Sequence, residues 1–121
     1  PLVTAVGGLA ILQHLPPEEA QRVLEENHRR ERARGGERRI ENLERMRRRS
    51  DAQGFGFTIG DIAPGLAALA VPIHNGDDAP VAALTLTGTD KTLHERNVAE
   101  FRVRAQAVAD ELALDVRRCL R

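Results

Sequence analysis

The chain has 121 residues, a length that supports a single domain with one hydrophobic core. Its 18 Lys and Arg residues balance its 18 Asp and Glu residues, so the net charge of zero points to no particular class of partner. Aromatic residues make up only 2% of the chain, which argues against base stacking on single-stranded nucleic acid and against an aromatic cage for cations.

The cellular setting is predicted from the lone cysteine and from the absence of apolar runs. Cys119 has no partner for a disulfide within the chain, so we expect a cytosolic protein. No apolar run reaches the roughly 18 residues of a membrane span, and the start has no signal-peptide pattern. Because the first residue is Pro1 rather than Met, we expect the chain to be a piece of a larger protein.

The first half of the sequence predicts three helices. Residues 2–15 are apolar on all sides, which is typical of a buried helix. The Gly7-Gly8 pair within it indicates a helix start nearby or a backbone that another group approaches closely. A second helix is predicted from Pro17 into the thirties, where Gly35-Gly36 ends it, and a third from Glu37 to Ala52.

Beyond Gly54, which is placed to cap the third helix, the apolar residues alternate and predict strands. The first strand covers residues 55–59, where Phe and Ile alternate with small or polar residues. Residues 66–74 and 81–89 form two further strands, and the Asn-Gly-Asp-Asp turn between them makes a hairpin.

The last element is predicted to be a long amphipathic helix of about 28 residues. A capping box of Thr92 and Glu95 begins it. Its apolar stripe consists of Val98, Phe101, Ala105, Val108, Leu112 and Cys119. The whole pattern predicts an α+β domain, an antiparallel sheet covered by helices. Three strands are few for four helices, so we expect a segment before Pro1 to add further strands.

Residues 29–49 contain ten arginines and four acids, so this segment carries a charge of +6 and the rest of the chain −6. Such a patch is able to hold phosphates. The alternative is a solvent-exposed helical surface, which the Glu41–Arg45 and Glu44–Arg48 spacings favour. Neither aromatic residues nor a helix-turn-helix signature accompanies the arginines, so we favour the solvent-exposed surface.

The second strand of the hairpin has the pattern of a ligand pocket. It places Thr85, Thr87 and Thr89 on one face, and the neighbouring strand presents Ala68 and Ala70. Small residues opposite small residues leave volume, and hydroxyls offer hydrogen bonds within it. From the pattern alone, threonines that face water on an ordinary strand are the simpler interpretation.

No motif in the sequence carries catalysis, so we expect that the chain is not an enzyme. It lacks a nucleophile elbow, a phosphate loop and a dinucleotide-binding fingerprint. The four histidines have no His or Cys partner at ligand spacing, so we expect no metal and no cofactor. Cys119 falls on the apolar stripe of the last helix and is interpreted as a small core or interface residue.

Taken in order, these segments resemble the effector-binding domain of IclR-type bacterial transcription regulators, in its C-terminal two-thirds. The opening PLVTAVGGLAILQHLPPEEA is similar to that family's helix and its following L-P-P-E-E. The stretch RRRSDAQGFGF resembles the approach to the family's signature, and the segment 54–75 matches the signature in spacing. VAALTLTG resembles the strand that follows, and the last helix is similar to the family's last helix.

The resemblance implies a GAF-like α+β sensor domain over residues 1–121, without its N-terminal part. It implies a small-molecule effector, often a carboxylate, and a homodimer or tetramer in the cytoplasm. It also implies a separate winged helix-turn-helix domain, missing here, that binds operator DNA. No membrane contact is expected.

By resemblance, the ligand site begins with backbone amides near the opening of the first helix, where Val6 and Gly7 stand here. Gly8 matches a glycine of that helix. Two hydroxyls of the last hairpin strand commonly hold the family's ligand, and Thr85 and Thr87 stand there in place of serines.

Four positions depart from the family. Thr58 stands where an acidic residue is frequent, Ala68 where a cysteine is, and Ala63 where a glutamate is. Val3 replaces a frequent histidine. We retain Thr58 and Ala68 in the expected ligand site, and the departures predict a less polar pocket for a bulkier or more apolar effector.

Two other functions stay open at this point. The lost polar groups favour an oligomerisation or interaction domain whose pocket is vestigial. Direct binding of nucleic acid by the arginine-rich helices is the third interpretation, and it predicts a steep dependence of binding on salt.

Overall fold

The computed structural model describes residues 6–75 and 79–119. The predicted order of elements is confirmed: α1 (Val6–Leu12), α2 (Pro17–Ala33), α3 (Glu37–Gln53), β1 (Gly56–Ile59), β2 (Leu66–His74), β3 (Pro80–Thr89) and α4 (Val98–Cys119). Within these ranges, every helix is too short or too polar to span a lipid bilayer.

The three strands form one antiparallel sheet in the order β1-β2-β3. The central strand β2 is buried over Ala67–Ile73 because both faces of the sheet are covered. Ala68 and Ala70 join a core with α1, α2 and α3. Leu69 and Val71 point the other way, into a second core against α4. The α+β class predicted from the sequence is therefore correct.

The C-terminal end of α3 follows from local sequence. Gly54 caps the helix in the left-handed conformation, with φ of 84°, and its N–H donates to the Ser50 carbonyl at 2.9 Å, as predicted. Ser50 also ties α3 to the sheet. Its buried hydroxyl donates to the Phe57 carbonyl at 3.0 Å and accepts from the Phe57 N–H at 2.9 Å.

The start of α4 differs from the prediction. The helix has 22 residues rather than about 28, and it begins at Val98. The predicted capping box is wrong, because the Glu95 carboxylate accepts from Arg49 at 2.8 Å and the Thr92 N–H donates to the Thr89 carbonyl. Asn97 organises the turn instead, and its side-chain oxygen accepts from the His94 N–H at 2.9 Å.

The apolar stripe of α4 is only partly buried. Val98 and Ala105 lie in the second core, whereas Val108 and Leu112 are exposed. Cys119 is also exposed, so its interpretation as a core residue is wrong. Val108 faces an open groove beside Leu84 and Leu86 of β3, which accounts for its exposure.

The first predicted helix is shorter than expected. Its described part, α1, ends at Leu12, before the turn that leads to Pro16 and Pro17. Residues 2–5 of the predicted helix lie outside the described residues, as does most of the predicted hairpin turn, at 76–78.

Helix α1 approaches the sheet closely at Gly56 of β1. A Cβ atom there would lie 2.5 Å from the Val6 carbonyl oxygen and 3.0 Å from Val6 Cγ2, so only glycine lets α1 lie this close to the sheet. Because Val6 and Ala70 flank the same point, any larger residue would force α1 away from the first core.

We expect Gly56→Ala to lower the free energy of unfolding by about 2 kcal/mol, the usual effect of overpacking a closed contact. Gly88→Ala is the matched control on β3. A Cβ atom at Gly88 meets nothing within 4 Å, so its effect should stay within about 0.5 kcal/mol. Urea unfolding measures both, and equal effects of the two substitutions would contradict the close approach of α1.

Candidate ligand-binding site

The sheet face that carries α1 is made of small residues. Two cross-strand rows lie on it, Gly56–Ala70–Thr85 and Thr58–Ala68–Thr87. Paired residues of adjacent strands point to the same face, so the predicted grouping of the hairpin threonines with the β2 alanines is confirmed.

Helix α1 meets this face at the expected hydroxyl. A Cβ atom at Gly7 would lie 3.3 Å from the Thr85 Oγ1 atom and 3.5 Å from the Ala83 Cβ atom. The glycine therefore brings the backbone of α1 close to Thr85, as one of the two interpretations of the Gly7-Gly8 pair predicted. Gly8, the next residue of α1, is half-buried.

Thr85 and Thr87 are exposed on this face. Within residues 6–75 and 79–119, neither hydroxyl has a hydrogen-bond partner, so both are free to bind a ligand. They are two residues apart on one strand and project the same way, which makes them a pair of aimed polar groups beside an apolar helix.

Thr58 has a different environment. It is fully buried, and its hydroxyl donates to the Asp61 carboxylate at 2.9 Å. Asp61 also accepts from the Arg49 guanidinium at 3.2 Å and from the Ile59 N–H at 3.4 Å. The polar group of Thr58 is thus satisfied within the protein, and it holds the β1–β2 loop against α3. No sequence pattern marked Asp61 or its pairing with Arg49.

Ala68 and Val6 are also buried, each with 4% of its surface exposed, and both belong to the core that α1 shares with α2 and α3. Of the expected site residues, Val6, Gly7 and Thr85 therefore converge where α1 crosses the sheet. Thr58, Ala68 and Thr87 occupy the neighbouring row, of which only Thr87 offers a free polar group.

A concavity lies on the opposite side of β3, where sequence analysis expected none. It has a volume of about 320 Å³. Its walls are largely apolar side chains of β3 and α4, among them Leu84, Leu86, Phe101 and Val108, and Thr85 and Arg104 also line it. The alternation of leucines with threonines along β3 indicates an apolar face toward α4. It does not predict that α4 leaves part of this face uncovered, so the concavity was missed.

The arginine-rich segment is largely paired. Glu26 accepts from both Arg29 and Arg30, at 2.7 and 3.0 Å. Hydrogen bonds from Arg29 and then Arg30 lower the pKa of the Glu26 carboxyl. Arg39 pairs with the buried Glu31 at 3.7 Å. These contacts support the interpretation of the segment as a solvent-exposed helical surface rather than a phosphate-binding patch.

The described residues give no sign of a metal centre. Within 6–75 and 79–119, no three His, Cys, Asp or Glu side chains converge on a common point. His14 and His74 lie in edge-to-face contact, with ring centroids 5.4 Å apart.

We expect Thr58→Val to lower the free energy of unfolding by about 1–2 kcal/mol, because it removes a buried hydrogen bond to a carboxylate. Thr87→Val, in the same row of the sheet, should change it by less than about 0.5 kcal/mol, since no contact is lost. Chemical denaturation separates the two. If the Thr58→Val protein has the same free energy of unfolding as the wild type, the Thr58–Asp61 hydrogen bond does not hold the loop.

Comparison with known families gives one match over most of the chain. Residues 1–114 match the model of the C-terminal region of the bacterial transcriptional regulator IclR. A search of the curated proteins found no match.

Solved structures share the fold at low sequence identity. A transcriptional regulator from Rhodococcus sp. RHA1 superposes with a TM-score of 0.70 at 18% identity, over 100% of this chain and 49% of that one. The C-terminal domain of Escherichia coli KdgR superposes with a TM-score of 0.65 at 18% sequence identity, and the match covers 97% of this chain and 71% of that one. The inducer-binding domain of Acinetobacter PobR was solved as a double mutant in complex with 3-hydroxybenzoic acid. It superposes with a TM-score of 0.60 at 17% sequence identity, and the match covers 93% of this chain and 65% of that one. The chain thus spans about half of the Rhodococcus regulator.

Proposed function

Because the chain belongs to the family of C-terminal domains of IclR-type bacterial transcriptional regulators, we propose that it binds a small-molecule effector between α1 and β3. The observation that carries this proposal is the pair of free hydroxyls of Thr85 and Thr87, next to the close approach of Gly7. A ligand there meets aimed polar groups on one side and an apolar helix on the other.

The chemistry of the residues favours an organic acid or phenol with an apolar body. Hydroxyls hydrogen-bond a carboxylate or a phenol but supply no positive charge. On the same face, the half-buried Ala83 offers a methyl group that suits a ring or an alkyl chain, whereas Ala68 and Ala70 are buried in the core with α1. The PobR domain in complex with 3-hydroxybenzoic acid supports an aromatic acid as the first candidate. The departures at Thr58, Ala63 and Ala68 favour an effector more apolar than a small hydrophilic acid.

The proposed consequence of binding is a shift in the assembly of the regulator and in its affinity for operator DNA. A ligand shifts such an equilibrium only by the difference in its affinity for the two states. Helix α1 is placed to provide that difference, since it contacts the ligand face through Gly7 and the α2–α3 core through Leu9 and Leu12. On this proposal, a winged helix-turn-helix domain elsewhere in the regulator binds operator DNA. The regulator itself assembles as a homodimer or tetramer.

One observation favours the alternative, an oligomerisation domain with a vestigial pocket. The Thr58 hydroxyl is engaged by Asp61, and Val6 and Ala68 are packed, so these three expected site residues offer no free polar side chain to a ligand. On this alternative, no small acid binds, although the chain folds and associates.

We expect a panel of small carboxylic and aromatic acids to include members that raise the melting temperature of the chain. At a ligand concentration of 100 times the dissociation constant, binding adds about 2.7 kcal/mol, a shift of several degrees for a domain of this size. The double variant Thr85→Val/Thr87→Val should abolish the shift and leave the melting temperature of the free protein nearly unchanged, because both hydroxyls are exposed.

The control is Thr89→Val, on the same face of β3 but four residues from Thr85, where the hydroxyl donates to the Thr92 hydroxyl at 3.4 Å. It should retain the ligand-induced shift. Unchanged affinity in the double variant would overturn the assignment of the site. A panel that gives no shift with a folded, associated protein would support the vestigial pocket.

A further inference from the structure

A cavity of about 280 Å³ lies between α3 and the loop that joins β1 to β2. Four of its lining residues are on α3 at positions i, i+3, i+4 and i+7, which places them on one side of the helix. The loop supplies two more. The lining consists of Arg39, Asn42, Leu43, Met46, Asp61 and Ile62. None of these belongs to the expected effector site, so the cavity is separate from that site.

The loop wall of this cavity is held in a fixed position. The Asp61 side chain is only 5% exposed. Its Oδ2 atom accepts from the Arg49 guanidinium at 3.2 Å and from the Thr58 hydroxyl at 2.9 Å. Because these contacts join the loop to α3 and to β1, the cavity is formed before any ligand arrives.

The edge of β1 next to the cavity is closed by side chains. The N–H groups of Phe57 and Ile59, two residues apart on the strand, point to the same edge. Ser50 accepts from the first at 2.9 Å, and Asp61 accepts from the second at 3.4 Å. A further strand of this sheet would therefore pair with β3, at the other end of the strand order, and would leave the cavity beside β1 uncovered.

The middle of the cavity is apolar. Leu43 and Met46 line it from α3 and are buried in the first core. Ile62 lines it from the loop and is 56% exposed, although it is a large apolar residue. An apolar ligand body beside these three side chains would remove the exposed surface of Ile62 from water, which the hydrophobic effect favours.

One end of the cavity offers free hydrogen-bond donors. The Nε atom of Arg39 lies 3.7 Å from the Glu31 carboxylate, and Arg39 makes no hydrogen bond to any group within residues 6–75 and 79–119. The side-chain oxygen of Asn42 accepts from Arg45, which turns the amide so that its NH₂ group is able to donate. A guanidinium beside an amide donor suits a carboxylate.

The electrostatics of the cavity also favour an anion. Residues 29–49, which include most of α3, contain ten arginines and four acids, so their net charge is +6 whichever of them form pairs. Asp61 is the acid that lines the cavity, and Arg49 compensates its charge at 3.2 Å. The sum of these charges attracts a negative ligand.

We propose that this cavity is a second ligand site and that it takes a linear aliphatic carboxylate. The carboxylate binds Arg39 and Asn42, and the aliphatic chain lies along α3 between Met46 and Ile62. Arg39 and Met46 are seven residues apart, which is about 10 Å along the helix axis, so a chain of medium length fits. The site does not depend on an effector near Thr85.

Chemical-shift mapping of the isotopically labelled chain with octanoate, below its micelle concentration, tests the proposal. The largest changes should fall on the amides of Asn42, Met46 and Ile62. Arg39→Gln removes the charged donor and should raise the dissociation constant at least about tenfold. The matched control is Arg38→Gln, at an exposed arginine that does not line the cavity, and it should leave the dissociation constant unchanged.

Two further measurements separate this site from other causes. Ile62→Asp puts a negative charge beside the aliphatic chain without altering α3, and it should abolish the binding. Thr85→Val/Thr87→Val should leave octanoate binding intact, so the two sites stand or fall separately. The proposal is overturned if octanoate leaves the amides of Asn42, Met46 and Ile62 unchanged, or if Arg39→Gln or Ile62→Asp binds it like the wild type. Equal binding of octylammonium at the same amides would also overturn it.

Discussion

The contact between α1 and the sheet determines how the rest of this domain is arranged. Helix α1 reaches the sheet where Gly56 has no side chain, and the Val6 carbonyl fills the space that a Cβ atom would need. This contact sets the position of Leu9 and Leu12 in the core with α2 and α3. It also brings Gly7 against Thr85, so the same close approach that assembles the first core defines the candidate ligand site.

The two faces of the sheet differ in the size of the side chains that they present. Toward α4, the sheet presents Phe57, Leu69 and Val71, which are fully buried and contribute about 1.5–3 kcal/mol each in transfer free energy. Toward α1, it presents glycine, alanine and threonine, which bury little area and let the helix lie close to the sheet. A sheet face with small side chains is tolerable because the opposite face and the Ser50 contact to Phe57 hold the sheet in place.

The features that the sequence predicted correctly depend on neighbours in the chain. The cap at Gly54, the alternation of β2 and the shared face of Thr85 and Thr87 follow from local spacing. The start of α4 was missed because Glu95 pairs with Arg49, which is 46 residues away. The hydroxyl of Thr58 was assigned to a ligand because nothing in the spacing indicates that Asp61 engages it. The groove beside Leu86 depends on which strand lies at the edge, and that is a property of the assembled sheet.

The most direct test of the effector site is chemical-shift mapping by NMR of the isotopically labelled chain. The titrant is an aromatic carboxylic acid, 3-hydroxybenzoic acid first. If the ligand binds between α1 and β3, the largest changes should fall on the amides of Gly7, Thr85 and Thr87. Changes confined to the α4 side of the sheet, around Phe101 and Val108, would contradict the account, as would a spectrum that no acid of the panel alters.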